Sequence, residues 1–296
     1  MSPRVSIIIS TYNGAAYIAE TIASIRDQTY RNWELIIVDD GSTDDTENVI
    51  TSFQDDRIQF IKAGKIGING KIKNMGLDKI SGEFIAFIDH DDLWAQNKLE
   101  KQMIALQTYS EAGFCLVNGY NFKHKGEPVN FFYHQRQGIR IDKVFLSFFQ
   151  SQLSAWTQTL LMRRECLQAG RFSETSLFAD PEFVFNLACQ FKAVVLFEPM
   201  VYRRQHASSY STVNWIPCQE QGIKIITKYK NSKLLPRAVA KNALFRSHID
   251  FGEKYIREKQ SRKAIRHFFK AWGNKIFSIA PAKKIMKAVL YSFRQA

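Results

Sequence analysis

The sequence predicts an α/β fold with a mostly parallel central sheet flanked by helices, followed by a basic, helical C-terminal region. Three observations carry that prediction. The first 120 residues alternate short apolar runs with helical patterns. Polar, acid-rich stretches recur directly after the apolar runs, and the positive charge is concentrated near the end of the chain. With 296 residues, 45% of them apolar, the chain can bury one large core or a core plus a smaller appended unit.

Val5–Ile9 reads as the first strand. Ile18, Ile22 and Ile25 then recur at helical spacing, and Gln28-Thr29-Tyr30 leads out of that helix. A second strand falls on Glu34–Val38, and Thr43 or Asp44 is placed to cap a helix running to about Phe53. Arg57–Ile61 is the third strand, and a helix follows from about Gly70 to Lys79, stopped by Ser81-Gly82. Phe84–Ile88 and Gly113–Val117 complete the strands of the first half, with a helix starting near Gln96 between them.

Beyond about residue 120 the pattern loosens. Asn121–Gly138 is polar and aromatic, Asp142 to Phe149 and Phe183–Cys189 read as helices, and Ala193–Phe197 as a short strand. From about 219 the chain reads as helices rich in Lys, Arg and aromatics. The predicted organisation is therefore an α/β unit over 1–218, split into halves 1–100 and 101–218, and a basic helical region over 219–296.

The net charge of +13 is unevenly held: residues 221–296 carry 19 Lys/Arg against 3 Asp/Glu, so the remainder is slightly acidic. A uniformly basic nucleic-acid binder would look different, and no nucleic-acid partner is expected. Cys115, Cys166, Cys189 and Cys218 lack CxxC spacing, which argues for reduced thiols. With no long apolar run and no signal-peptide layout, a cytoplasmic location is expected.

Parallel α/β sheets bind ligands at the carboxyl ends of their strands. Ser10-Thr11-Tyr12-Asn13-Gly14 follows the first strand, Asp39-Asp40-Gly41-Ser42 the second, and Asp89-His90-Asp91-Asp92 the fourth. Three crowded carboxylates repel one another unless a cation neutralises them. Hard oxygen donors suit Mn²⁺ or Mg²⁺, which take phosphate oxygens as further ligands, so the cluster predicts a metal-bound diphosphate. The alternative is that these acids cap the helix near Gln96. Gly64, Gly67 and Gly70 have the spacing GxxGxxG rather than GxGxxG. They bring backbone N–H groups, or Lys71 and Lys73, to phosphate, or they form a simple turn.

The segments VSIIISTYNGAAYIAETIASIRDQTY, WELIIVDDGSTDDT, KNMGL and SGEFIAFIDHDD resemble, in order and spacing, the N-terminal half of family 2 glycosyltransferases of the GT-A fold. The likeness covers residues 4–100 and is fainter over 155–212. It implies the GT-A nucleotide-diphospho-sugar transferase fold and transfer of a sugar, with inversion, from a nucleoside diphosphate donor of the UDP-sugar kind to a glycan or lipid-linked hydroxyl. It further implies nucleotide binding by Thr11, Tyr12, Asn13, Asp39 and Asp40, with Asp89 near the ribose and Asp91, Asp89 and Asp92 as the metal-binding DxD motif. Lys73 stands where the family usually has arginine, as a phosphate contact. Phe178-Ala179-Asp180 resembles the family's Glu-Asp pair, which makes Asp180 the general base, although Asp180-Pro181-Glu182 also reads as a helix start. Glu182 is the substitute candidate. In the stretch Tyr202–Ser209, His206 would close the metal site or touch phosphate, and Arg203 or Arg204 would neutralise the departing diphosphate.

Trp156 and the aromatics around Phe131–Tyr133 are either sugar platforms or core. In the tail, Arg262, Lys263, Arg266 and Lys270 are interleaved with Phe268, Phe269, Trp272, Phe277 and Phe293. That mix suits helices lying on the inner face of an anionic membrane, or a helix pair with a solvated basic face. Two rival functions share these features: a sugar nucleotidyltransferase, and a catalytically degenerate glycan-binding protein.

Overall fold

A computed structural model of the chain describes residues 2–123, 126–133, 138–207, 209–274, 281, 284 and 285. Strand β1 (Val5–Thr11) lies inside the sheet, and Val5, Ile7, Ile8 and Ile9 have no exposed surface. A largely apolar run fits this place, because a parallel strand covered on both faces has no wet side. β1 pairs in parallel with β2 (Trp33–Asp39) and with β4 (Phe84–Phe87), and β2 with β3 (Ile58–Lys62). Helix α1 (Ile18–Arg26) buries Ile18, Ile22 and Ile25, as their spacing predicts. The short α2 (Thr46–Thr51) and α3 (Asn69–Leu77) complete the first half.

β5 (Leu93–Trp94), α4 (Lys98–Thr108), β6 (Ala112–Phe122), β7 (Pro128–Phe131), β8 (Ile139–Asp142), α5 (Phe145–Phe149), β9 (Leu160–Arg163), α6 (Ala179–Gln190) and β10 (Lys192–Arg204) follow. The strand order is β3-β2-β1-β4-β9-β6-β10-β5, with β7 on β6 and β8 on β10. β9 is antiparallel to both β4 and β6, which makes β6 and β10 parallel to β1. The carboxyl ends of β1, β2, β4 and β10 therefore share one edge of the sheet.

Several local expectations shift. Asp142 ends β8, which pairs with β10, so the helix expected from Asp142 shrinks to Phe145–Phe149. The short strand expected at Ala193–Phe197 lengthens to Lys192–Arg204 because β6 offers a long partner. Of the two expected caps, Asp44 serves the start of α2: its carboxylate accepts the N–H of Thr46, the first helical residue, at 3.2 Å as well as that of Ala15 at 3.1 Å, whereas the Thr43 N–H donates to Asn13. The acids at 89–92 cap no helix, since β5 separates them from α4. Asp180 is not an N-cap either; it lies inside the first turn of α6, behind Phe178.

The chain divides after Ser209 rather than after 218. The second unit contains α7 (Tyr210–Val213), α8 (Trp215–Asn231), α9 (Arg237–Arg257) and α10 (Ser261–Asn274), around a core of Phe251, Tyr255, Ala264 and Phe268. Phe269 and Trp272 are exposed on α10, their stacked rings 6.5 Å apart. Phe277 and Phe293 lie outside the described residues. Among the described residues no helix is long and apolar enough to cross a membrane. Cys115, Cys166, Cys189 and Cys218 are free thiols.

Candidate active site

Where β1 and β2 end, the chain makes the first wall of the site. The backbone N–H of Asp40 donates to the carbonyl of Thr11 at 2.9 Å, locking the two strand ends together. Asp39 accepts the backbone N–H and the hydroxyl of Ser42, and Ser42 in turn accepts the N–H of Asn13. Asn13 holds a left-handed backbone (φ 49°), which this residue type tolerates, and its side-chain amide oxygen Oδ1 accepts the N–H of Thr43 at 2.8 Å. Thr11 is buried, and its hydroxyl has no hydrogen-bond partner among the described residues.

Asp40 anchors the loop after β3. Its carboxylate accepts the N–H groups of Ile66 and Gly67 and lies 3.6 Å from the Lys65 ammonium. Lys65 also sits 3.0 Å above the ring of the exposed Tyr12, a cation–π contact. Lys65 escaped sequence reasoning; its place among Gly64, Gly67 and Gly70 was the available signal. Gly67 has φ +75°, the left-handed turn that glycine allows. The turn reading of the glycine series fits, and Gly70 serves close packing instead.

The acids after β4 separate into three environments. Asp89 is one-third exposed and lies 3.5 Å from the Lys73 ammonium. Asp91 meets His206, with Oδ2 and Nε2 2.8 Å apart, and its carbonyl accepts Nε–H of Arg204 at 3.1 Å. Asp92 is turned into the protein at 1% exposure. One of its oxygens accepts the Gln158 amide and the other the Arg204 backbone N–H, each at 3.0 Å. Burial, and then the charges of Asp91 and Asp89, hold its carboxyl well above the usual range, against the pull of Arg203 and of the Arg204 N–H. Asp92, expected as a metal ligand, is thus the acid of the three that is turned away from solvent.

Lys73 is also corrected. It is wholly enclosed, and its ammonium meets Asp180 Oδ2 at 2.7 Å and lies 3.5 Å from both Asp89 and the Thr157 hydroxyl. A side chain so enclosed and engaged is not disposed to hold a phosphate. Burial works to lower the ammonium's pKa, but the charges of Asp180 and Asp89 outweigh it and raise the value. Asp180 itself is raised, first by burial, with Lys73 pulling it down and Asp89 pushing it up. Its Oδ1 has no hydrogen-bond partner among the described residues.

On β10, Arg204 reaches Glu20 at 3.2 Å and faces the rings of Tyr17 and Phe122. Arg203 points the other way, donating to Asn121 and stacking 4.6 Å from the Trp156 ring. Among the described residues no three His, Cys, Asp or Glu donors gather into a cage for a metal. The Asp91–His206 pair still fits Mn²⁺ or Mg²⁺, which are held by few protein groups and complete their shells with phosphate and water.

The glycosyl transferase family 2 model matches residues 6–171 of the chain. The chain is 36% identical over 148 residues to the uncharacterized glycosyltransferase RT0329 of Rickettsia typhi, covering 50% of this chain and 46% of that protein. It is 42% identical over 99 residues to UDP-Glc:alpha-D-GlcNAc-diphosphoundecaprenol beta-1,3-glucosyltransferase WfgD of Escherichia coli, covering 33% and 39%. The chain thus spans less than half the length of each of these two relatives. Among solved structures, S. aureus TarS 1–349 in complex with UDP-GlcNAc aligns with a TM-score of 0.69 and 18% identity, over 99% of this chain and 92% of that one. With the family's sequence pattern matched over more than half of its length and the GT-A fold around it, this chain belongs to glycosyl transferase family 2.

Proposed function

We propose that this glycosyltransferase moves a sugar from a UDP-sugar to a hydroxyl of a growing or lipid-linked glycan, with inversion at the anomeric carbon. The observation that carries this reading is the placement at one sheet edge of Tyr12 and Asp40, Asp89 and Asp91, and Asp180. WfgD by its name takes UDP-Glc and a diphosphoundecaprenol-linked acceptor, and TarS has been captured with UDP-GlcNAc; both support a UDP-linked donor here.

In this reading Thr11, Tyr12, Asn13, Asp39 and Asp40 form the nucleotide wall, with Asp89 beside the ribose. Asp91 and His206 would hold Mn²⁺ or Mg²⁺, which supplies positive charge against the departing diphosphate. Asp180 takes the proton of the acceptor hydroxyl as its oxygen attacks the anomeric carbon. The bond from that carbon to UDP breaks, and UDP leaves with the electron pair.

UDP release from UDP-sugars with Mn²⁺, compared among wild type, Asp91→Ala and Asp180→Asn, tests the assignment. Losses of about 100-fold or more in both variants support it. Pyrophosphate release in place of UDP would move the protein to the nucleotidyltransferases, and full turnover by Asp180→Asn would remove the base.

The positive charge of residues 221–296, with exposed Phe269 and Trp272 near Arg266 and Lys270, supports a peripheral place on an anionic membrane, at its cytoplasmic face. Flotation with phosphatidylglycerol vesicles checks this: Phe269→Ala/Trp272→Ala should lose binding, and an unchanged profile would exclude these two residues as the anchor.

A further inference from the structure

Lys73 lies in the middle of α3, and the structure shows how an amine there comes to be enclosed. One turn earlier, a Cβ on Gly70 would stand 2.0 Å from the Ser173 carbonyl oxygen, so α3 runs directly against the segment leading to α6. Asn74 stitches the same two pieces: its amide donates to the Phe172 carbonyl at 3.0 Å, and its oxygen accepts the Phe172 N–H at 3.1 Å. Glu174 accepts a further bond from that amide. The result sets the Lys73 ammonium between Asp180, Asp89 and Thr157, three oxygen-bearing groups for three N–H donors.

A buried ammonium is expensive to hold unless its charge is matched, and here two carboxylates match it. Those two carboxylates belong to different halves of the reaction. Asp89 follows β4 on the donor side, and Asp180 lies in the first turn of α6. A single ammonium is a point charge that one lysine can share among several oxygens, whereas a guanidinium would favour a bidentate grip on one partner.

We propose that Lys73 is a positioning residue that fixes the Asp180 carboxylate through Oδ2 and ties it to the donor-side Asp89. The inference rests on the reading of Asp180 as general base. In the transfer, the acceptor oxygen bonds to the anomeric carbon, the bond to UDP breaks with its electrons, and the proton passes to the Asp180 carboxylate. Lys73 touches none of the reacting atoms. It favours the charged carboxylate before attack and fixes its direction. The groups facing Asp180 are Lys73 from α3, Asp89 from the loop after β4, and Thr157 from the turn before β9.

The test is carbon-13 NMR of carboxyl-labelled aspartate in the full chain, with Asp180→Asn assigning the resonance, and UDP affinity measured by calorimetry on the same samples. In Lys73→Met the Asp180 midpoint should move up by about one pH unit or more. Lys73→Arg, which keeps the charge, should stay within roughly half a unit of wild type. If Met at this enclosed position does not fold, Lys73→Gln removes the charge and keeps a polar head for the same reading. An unmoved midpoint overturns the proposal, and an unmoved midpoint with about a tenfold loss of UDP affinity would assign Lys73 to the diphosphate instead. Failure of the base reading looks different: Asp180→Asn would then still release UDP from UDP-GlcNAc, whatever Lys73 does to the resonance.

Discussion

Nε2 of His206 lies 2.8 Å from Oδ2 of Asp91, joining the segment after β10 to the loop after β4. Tyr17 from the start of α1 packs its ring 4.8 Å from the imidazole, so the pair is held on a third side. In the proposed reaction His206 would be a second protein donor for the divalent ion, so its removal should act on metal and nucleotide together. His206→Ala is expected to weaken Mn²⁺-dependent UDP binding by about 10- to 100-fold, with a larger loss in Asp91→Ala. Calorimetric UDP titrations with and without Mn²⁺ check this, and an unchanged Mn²⁺ dependence in His206→Ala would rule the imidazole out.

Lys98 offers a test away from the site. It is wholly buried, donates to Gln102 at 2.8 Å, and has its amine 3.8 Å from the Trp94 ring centre. Burial lowers its pKa from 10.5 to about 7, with Cys115 opposing. A lysine lowered in this way binds fewer protons folded than unfolded between those two values. Its penalty is therefore full below pH 7 and lifts as pH rises toward 10.5. That penalty is roughly 4–5 kcal/mol at pH 6. Lys98→Met removes it but leaves Gln102 without a donor, costing roughly 1–3 kcal/mol. Urea denaturation should show the variant more stable by about 2 kcal/mol at pH 6, with the advantage gone or reversed near pH 10. A gain that does not depend on pH would contradict the buried neutral amine.

In the second unit, Nδ1 of His248 lies 3.2 Å from Nδ1 of His267, and the His267 ring stacks 4.3 Å from Phe251. One ring must accept for this bond to exist, so protonating both sets two donors face to face. Burial, then His267 and Lys270, lower His248 from 6.5 to about 4, and burial lowers His267 as well. The unfolded chain thus binds more protons through that window, and the stability these rings contribute is whole above about pH 6.5 and falls as pH drops toward 4. Hydrogen exchange of α9 and α10 should quicken between pH 7 and pH 5 relative to the intrinsic rate. His248→Gln should flatten that response, and equal responses in both proteins would sink the idea.

Much of the first half was legible because its signals are local. β1 to β4 are built on short, mostly apolar runs, and Tyr12, Asp40 and Asp89 lie within a few residues of strand ends, where the period and the acids can be read together. The three acids at 89, 91 and 92 look alike in sequence, yet Asp92 turns inward because Gln158 and the Arg204 N–H, far along the chain, are there to receive it. The Lys73–Asp180 pair spans 107 positions, and only packing between α3 and the 172–179 segment creates it. Asp142 reads as the start of a helix until β10 is seen to offer residues 139–142 a partner.

Gly64, in the loop after β3, and Gly70, in the first turn of α3, separate backbone freedom from close packing. A Cβ on Gly70 would overlap the Ser173 carbonyl oxygen at 2.0 Å and come within 3.3 Å of the Ala179 side chain. Backbone cannot swing aside as a flexible side chain can, so Gly70→Ala must push α3 away from the segment before α6, costing roughly 1–3 kcal/mol. The same displacement lengthens the 2.7 Å contact between Lys73 and Asp180. Gly64 has φ +72° and open space where a Cβ would go, so Gly64→Ala meets only the left-handed backbone penalty of roughly 1–2 kcal/mol. The two variants should therefore have similar melting temperatures and different turnover. Gly70→Ala is expected to lose about tenfold or more in UDP release, since small misplacements of a base are costly, while Gly64→Ala keeps most of it. Equal activities at matched stability would show that the α3 contact does not govern the base.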